Sequence, residues 1–269
     1  MIANKYSIIE KINEGSFGTV FKAENIRTHE KVAVKIERKF NEITTLKHEA
    51  KIYQYLGKNN GFSTMKMFGT TDSINYLVLD ILGDSLNKYI NHYQAVPLKH
   101  VMLIGIQIIK RVQFLHEKLL LHRDIKPSNF VFGVGNKKNT LYLIDFGLSK
   151  RYDYDGKHID CGVIKNIIGS VNFVSLNVHN LIEPSRKDDI ESSIYVILNM
   201  LLGKLEWFDK SSMKNIISLK TNLIHLPEIP DFIKNMLLYT RNLHFNETPD
   251  YDFLIQLIIN EYNKKYNYV

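Results

Sequence analysis

Four side chains in the middle of the chain have the types and spacing that phosphoryl transfer needs. Within Leu121 to Asn129 stand a carboxylate, Asp124, an amine, Lys126, and a carboxamide, Asn129. Sixteen residues later Asp145 ends the apolar run Leu141 to Ile144 and is followed by Phe146 and Gly147, as when a strand delivers a carboxylate to a turn. The loosely bonded transition state of phosphoryl transfer is catalysed mainly by positioning and charge neutralisation. An Asp can hold a hydroxyl and a Lys can meet a phosphate, while an Asn and a second Asp can hold magnesium. Either short motif alone is weak; both, in order and at this interval, are specific.

These groups need a scaffold, and the first 80 residues supply strands. Tyr6, Ile8 and Ile12, then Val20, Phe21 and Ala23, then Val32, Val34 and Ile36 alternate as three strands do. Between the first two lies Asn13-Glu14-Gly15-Ser16-Phe17-Gly18, a turn whose glycines would let backbone amides approach a polyphosphate. Lys35 lies among apolar neighbours, where an amine is costly unless paired. Glu49, on a helix expected over Ile43 to Leu56, is its candidate partner. Two further strands are expected near Met65 to Gly69 and Tyr76 to Leu79, ending in a Gly-containing linker from Asp80 to Leu86. Backbone groups of Asp80 and Leu82 would be free there to meet an adenine edge.

Helical patterns dominate downstream: Leu86 to His92, Leu98 to Glu117, Lys187 to Gly203, Ser212 to Leu219, Pro230 to Tyr239 and Tyr251 to Tyr262. Strands first and helices second predict an α+β, two-lobed protein with an antiparallel N-terminal sheet plus one helix, a mainly helical C-terminal lobe and a cleft at the hinge. The expected division is 1–82 and 83–269 within one domain.

From Tyr6 to about Ile259 the chain resembles a eukaryotic protein kinase, and more narrowly the casein kinase I family. Its marks are Leu82-Gly83-Asp84-Ser85-Leu86, His122-Arg123-Asp124-Ile125-Lys126-Pro127-Ser128-Asn129-Phe130, Ser175-Leu176-Asn177-Val178-His179, Ser185-Arg186-Lys187-Asp188-Asp189-Ile190-Glu191-Ser192, and Arg241-Asn242-Leu243 with Phe245 and Pro249-Asp250-Tyr251. The resemblance implies ATP and Mg²⁺ as cofactors and Ser/Thr hydroxyls of proteins as acceptors. Lys35 would grip the α- and β-phosphates with Glu49 behind it, and Gly15, Ser16 and Gly18 would cover them. Ile12, Val20, Ala33, Leu79, Asp80, Ile81, Leu82 and Ile144 would surround the nucleotide base and sugar. Asp124 would orient the acceptor hydroxyl and take its proton, Lys126 would steady the γ-phosphate, and Asn129 and Asp145 would hold the metal. Asp189 would cap the backbone of the loop bearing Asp124, and His122 is read as a packed histidine. The other reading that the sequence leaves open is a pseudokinase, a scaffold that binds nucleotide or partners without transfer.

Departures from the family pattern bear on substrate choice. Asn172 stands where the family has an Arg that binds anions, and an amide cannot supply a bidentate fork. Lys165 and Lys220 remain as candidate anion attractors, so protein substrates, including acidic ones, are the expected partners. Asn13 replaces a glycine, Trp207 to Pro230 is short for the family, and Ser149, Tyr152, Tyr154 and Ser170 are candidate phosphosites, none flanked as an obvious switch. Activity of the unmodified chain is expected.

A net charge of +7 over 269 residues favours acidic partners. No basic run with interleaved aromatics marks a nucleic-acid stripe, so direct nucleic-acid binding is not expected. The single Cys161 excludes an internal disulfide and, with ten histidines at no ligand spacing, argues against structural zinc. Met1 to Tyr6 has no signal-peptide core, and Val101 to Ile109 and Ile194 to Leu202 fall short of the ~20 apolar residues of a membrane span. The expectation is an intracellular monomer, cytoplasmic or nuclear.

Overall fold

Alternation along residues 31–38 produces a sheet with two unlike faces. A computed structural model describes residues 1–15, 18–39, 44–210 and 212–266. Strands β1 (Tyr6–Gly15), β2 (Gly18–Asn25), β3 (Lys31–Arg38), β4 (Met65–Thr70) and β5 (Ile74–Asp80) form one antiparallel sheet in the order β1-β2-β3-β5-β4. Val32 and Val34 join Tyr6, Ala23, Tyr76 and Val78 in a closed apolar cluster on one face. Burying each such Val contributes roughly 1.5–3 kcal/mol, so this face holds the sheet together. The intervening Ala33, Lys35 and Glu37 lie opposite Leu79, Leu77 and Asn75 on the other face.

Helix α1 (Leu46–Leu56) packs against β4 and β5 and buries Glu49, Ile52 and Tyr53. It starts three residues later than the apolar spacing predicts; Ile43 itself lies outside the described residues.

The first compact unit comprises Met1–Asp84 together with Val131–Leu148, and the second Ser85–Phe130 with Ser149–Val269. This differs from a single cut at 82/83, for a hydrogen-bonding reason. The strand Phe130–Phe132 pairs with Leu141–Leu143, Gly83 donates to the Phe132 carbonyl, and Leu143 donates to that of Gly61. Residues 131–148 are thereby laced to the first unit.

In the second unit Ser85 caps α2 (Leu86–Tyr93) by accepting from the Lys88 amide. It is followed by α3 (Leu98–Glu117), α4 (Leu176–His179), α5 (Arg186–Leu202), α6 (Met213–Asn222), α7 (Asp231–Asn242) and α8 (Tyr251–Tyr266). α5 is buried on almost every side, packing on α3 and α7, while α8 covers α3. Helix ends differ from the sequence reading by up to four residues, α8 running on to Tyr266. The two-residue strands Leu120–Leu121 and Lys150–Arg151, which pair, and the hairpin Asp153–Tyr154 with Lys157–His158 are too short to leave a periodicity.

Candidate active site

In the first unit, the charged face of β3 gathers three of the expected groups. Lys35 Nζ lies 2.7 Å from Glu49 Oε2 and 2.8 Å from Asp145 Oδ1. Burial would lower the Lys35 pKa, but the two carboxylates outweigh it and hold the amine protonated above its ordinary range. Burial also pushes the Glu49 carboxyl up, to about 7, against the pull of Lys35. One cation thus serves two carboxylates, one of them buried and the other, Asp145, partly open to solvent.

The α1 N-cap Thr45 lies beside Gly147, and within the helix Glu49 and Tyr53, four residues apart, face Lys35 and Asp145. The Asp145 amide donates to the Tyr53 hydroxyl at 3.4 Å, and the Tyr53 ring meets the buried Phe146 edge-on at 4.9 Å. Asp145 takes the left-handed conformation, φ +68°, which a short polar side chain tolerates better than most.

Beside these charges is an apolar row. Val20 lies opposite Lys35, and Ala33 opposite Leu79, so all four share the face on which α1 lies. Val20, Ala33, Leu79, Ile81, Leu82 and Ile144 are partly buried. Ile12 falls at a register shift in β1 and is half exposed. The Asp80 amide donates to the Thr64 carbonyl, and its side chain pairs with Lys66 at 2.9 Å. Its backbone is therefore less free than expected. Among the described residues the Leu82 backbone takes no hydrogen bond.

The glycine turn separates into unlike halves. Among the described residues nothing crowds Gly15, whereas Gly18 has φ +128° and a Cβ there would meet the Ile36 carbonyl oxygen. Gly18 is thus required by its own strand whether or not a nucleotide binds. Ser16 and Phe17 lie outside the described residues. Asn13, which stands in place of a glycine, pairs with Val20 inside the ladder.

In the second unit, Asp124, Lys126 and Asn129 close on one another. Lys126 Nζ is 2.7 Å from Asp124 Oδ2, and Asn129 Nδ2 donates to the Asp124 carbonyl at 2.9 Å and to Oδ2 at 3.3 Å. Ser170 Oγ donates to Asp124 Oδ1 at 2.8 Å and accepts from Lys126 Nζ at 3.1 Å. The sequence offered Ser170 only as a phosphosite; its bridging role has no local signal, since it comes from 46 residues downstream.

The loop is held from behind. Asp189, near the start of α5, accepts the His122 amide at 2.7 Å, the Arg123 amide at 2.9 Å and His116 Nε2 at 3.1 Å. Burial raises the Asp189 carboxyl, but His116 and the loop amide outweigh it and hold it below the usual range. His122 is fully buried, and its Nδ1 accepts the Asp124 amide, the packed histidine expected. Downstream, Ser175 caps α4 and donates to Asp188 Oδ1 at 2.6 Å, while Asp188 Oδ2 closes a capping box with Ser185.

The expectation for Lys220 is overturned. Lys220 is not an exposed anion attractor: it is fully buried, donating to the Val171 and Val174 carbonyls and to His179 Nε2 at 3.2, 2.7 and 3.0 Å. Burial pulls its ammonium down to about 7, with Glu191 opposing. Lys165 is exposed, as an anion attractor must be. Ser149 and Tyr152 are buried, out of a modifying enzyme's reach in this fold.

Among the described residues no helix is long and apolar enough to cross a membrane. A family model described as "Protein kinase domain" matches residues 6–263.

Proposed function

We propose, from the premise that this chain belongs to the protein kinase family, that it transfers the γ-phosphate of ATP to Ser and Thr hydroxyls of proteins, in the manner of casein kinase I enzymes. Family membership carries ATP and divalent-metal use in general; magnesium, Ser/Thr choice and the residue roles are this proposal's own.

The residues present suit that cofactor pair. Asp145 in the first unit and Asn129 in the second each carry an oxygen of the hard kind that magnesium prefers, and the ion characteristically takes only one or two carboxylates, the rest coming from phosphate and water. When bound, the ion offsets the phosphates' negative charge. Lys35, kept protonated by its two carboxylates, would grip the α- and β-phosphates, with Glu49 fixing its direction. Gly15 would lie over them. The row of Val20, Ala33, Leu79 and Ile144 would take the base, with the Leu82 backbone at its edge.

The observation that carries the acceptor assignment is the grouping around Asp124. Its carboxylate already accepts a serine hydroxyl at 2.8 Å, and Lys126 reaches both that hydroxyl and the carboxylate. A substrate Ser or Thr hydroxyl would be oriented in the same way and would pass its proton to Asp124, as Lys126 steadies the transferred group. Acidic substrates find support in Lys165 and the net charge of +7, but not in Asn172, a neutral amide that cannot supply a bidentate fork.

The test is transfer from radiolabelled ATP with Mg²⁺ to casein, beside an Asp145→Asn control. The expected outcome is labelled phosphoserine and phosphothreonine, with about 10²–10³-fold less in the control. ATP binding without transfer by the wild type would instead establish the scaffold reading. Label confined to tyrosine would overturn the acceptor assignment.

A further inference from the structure

Helix α1 carries Glu49 to Lys35, so whatever fixes the start of α1 fixes that pair. Thr45, at the helix N-cap, would ordinarily satisfy the first amides with its own hydroxyl. It does not: its side chain makes no capping bond, and Thr45 Oγ1 is buried without a partner among the described residues.

The carboxylate of Glu37, on β3, does this instead. Glu37 Oε1 accepts the Thr45 amide at 2.6 Å and the Leu46 amide at 3.0 Å, while Oε2 accepts Asn75 Nδ2 at 3.0 Å. Asn75, directly opposite on β5, is in turn fixed by Thr70 of β4, whose hydroxyl donates to Asn75 Oδ1 at 2.8 Å. Glu37 is only 1% exposed. Among the described residues its partners are helix-start amides and a carboxamide rather than a cation, so the positive end of α1 is what makes its burial tolerable.

Glu37 lies two residues after Lys35 and shares its face, so one strand holds α1 at two points. The helix start is bound by Glu37, and Glu49, about 6 Å further along the axis, by Lys35. We infer that Glu37 is a positioning residue that ties the first turn of α1 to β3 and so sets Glu49 in register with Lys35. The consequence for catalysis rests on the kinase reading; the tether itself does not.

The experiment is a double-mutant cycle on the full chain, with kcat/KM for ATP measured for wild type, Glu37→Ala, Glu49→Gln and the double variant, and with amide hydrogen exchange followed in each. Glu37→Ala is expected to lower kcat/KM about tenfold, the loss typical of a charge-assisted hydrogen bond. Its Leu46–Leu56 amides should exchange faster while those of β2 and β3 do not. Because Glu37 acts through Glu49, the double variant should be no worse than Glu49→Gln alone. Additive losses, or unchanged α1 exchange, would overturn the inference. Should Glu37→Ala not fold, Glu37→Gln takes its place in the cycle with the same outcomes deciding. If the wild type transfers no phosphate, the kinase reading fails on that ground alone, and the exchange comparison still decides the tether.

Discussion

The two units organise their charges by different means. In the first, Lys35, Glu49 and Asp145 come from β3, from α1 and from the turn after Leu141–Leu143, and they meet through side-chain ion pairs across 14 and 110 residues of sequence, with Tyr53 of α1 also touching the turn. In the second, Asp124, Lys126 and Asn129 lie within a single loop, and the backbone of that loop is clamped by the buried carboxylate of Asp189. The first set therefore depends on where a helix sits, and the second on how a loop is folded. Shifting α1 would break the first with little local unfolding, whereas disturbing the second means loosening the loop.

The largest effect should come from removing the group that touches the acceptor. Asp124→Asn keeps the loop's size but loses the charge facing Lys126 and the Ser170 hydroxyl, so kcat should fall about 10²–10⁴-fold, the range for a lost general base. KM for ATP should stay near the wild-type value, as measured by steady-state kinetics. A matching rise in KM for ATP would show that the two charge sets are not separable in this way.

Glu49→Gln tests the other side. Lys35 would retain Asp145 as its partner, so the stability lost should be smaller than the roughly 3–5 kcal/mol of leaving a buried charge unpaired. The catalytic loss should be ten- to a hundredfold in kcat/KM for ATP, the scale of one charge-assisted contact. Nucleotide titration and thermal melting check the two parts. A large stability loss with intact kinetics would mean that the pair is scaffold rather than part of the site.

The contrast also explains what the sequence made legible. The second unit's set is local, so residue types and spacing alone displayed it, and the long helices α3, α5 and α8 were visible through their apolar periodicity. Lys35 with Glu49 was inferred because a lysine inside an apolar strand demands a partner. Glu37, Ser170 and Lys220 were not legible in the same way: an alternating Glu on a strand, a Ser after a Gly and a Lys on a helix look like ordinary surface residues. Each gains its role from a partner 8 to 49 residues away, a distance at which a single sequence has no periodicity to show.

Asp189→Asn separates clamp from chemistry. An amide offers one oxygen where the carboxylate offers two, so one of the His122 and Arg123 amides loses its acceptor, at a cost of about 1–3 kcal/mol. The melting temperature should fall by several degrees and kcat by less than in Asp124→Asn, with KM for ATP unchanged. Rising α1 exchange in this variant would contradict the independence of the two sets.

The smallest effect concerns Lys220, which fastens residues 171–174, next to Ser170. His179, Tyr195, Glu191 and Arg241 surround it, and burial lowers its ammonium from the ordinary 10.5 to about 7. The unfolded chain thus keeps this proton up to about 10.5 while the folded chain holds it only to about 7, so between these values unfolding takes up a proton and stability rises with pH. Below pH 7 both states are protonated and the slope vanishes. Lys220→Met should melt lower throughout, because the Val171 and Val174 carbonyls lose their donor, but its melting temperature should gain less than the wild type's between pH 7.5 and 9.5. Equal gains in the two proteins would mean that Lys220 stays charged across this range, its three acceptors compensating for burial, and the clamp on the second unit's charges would then be indifferent to pH.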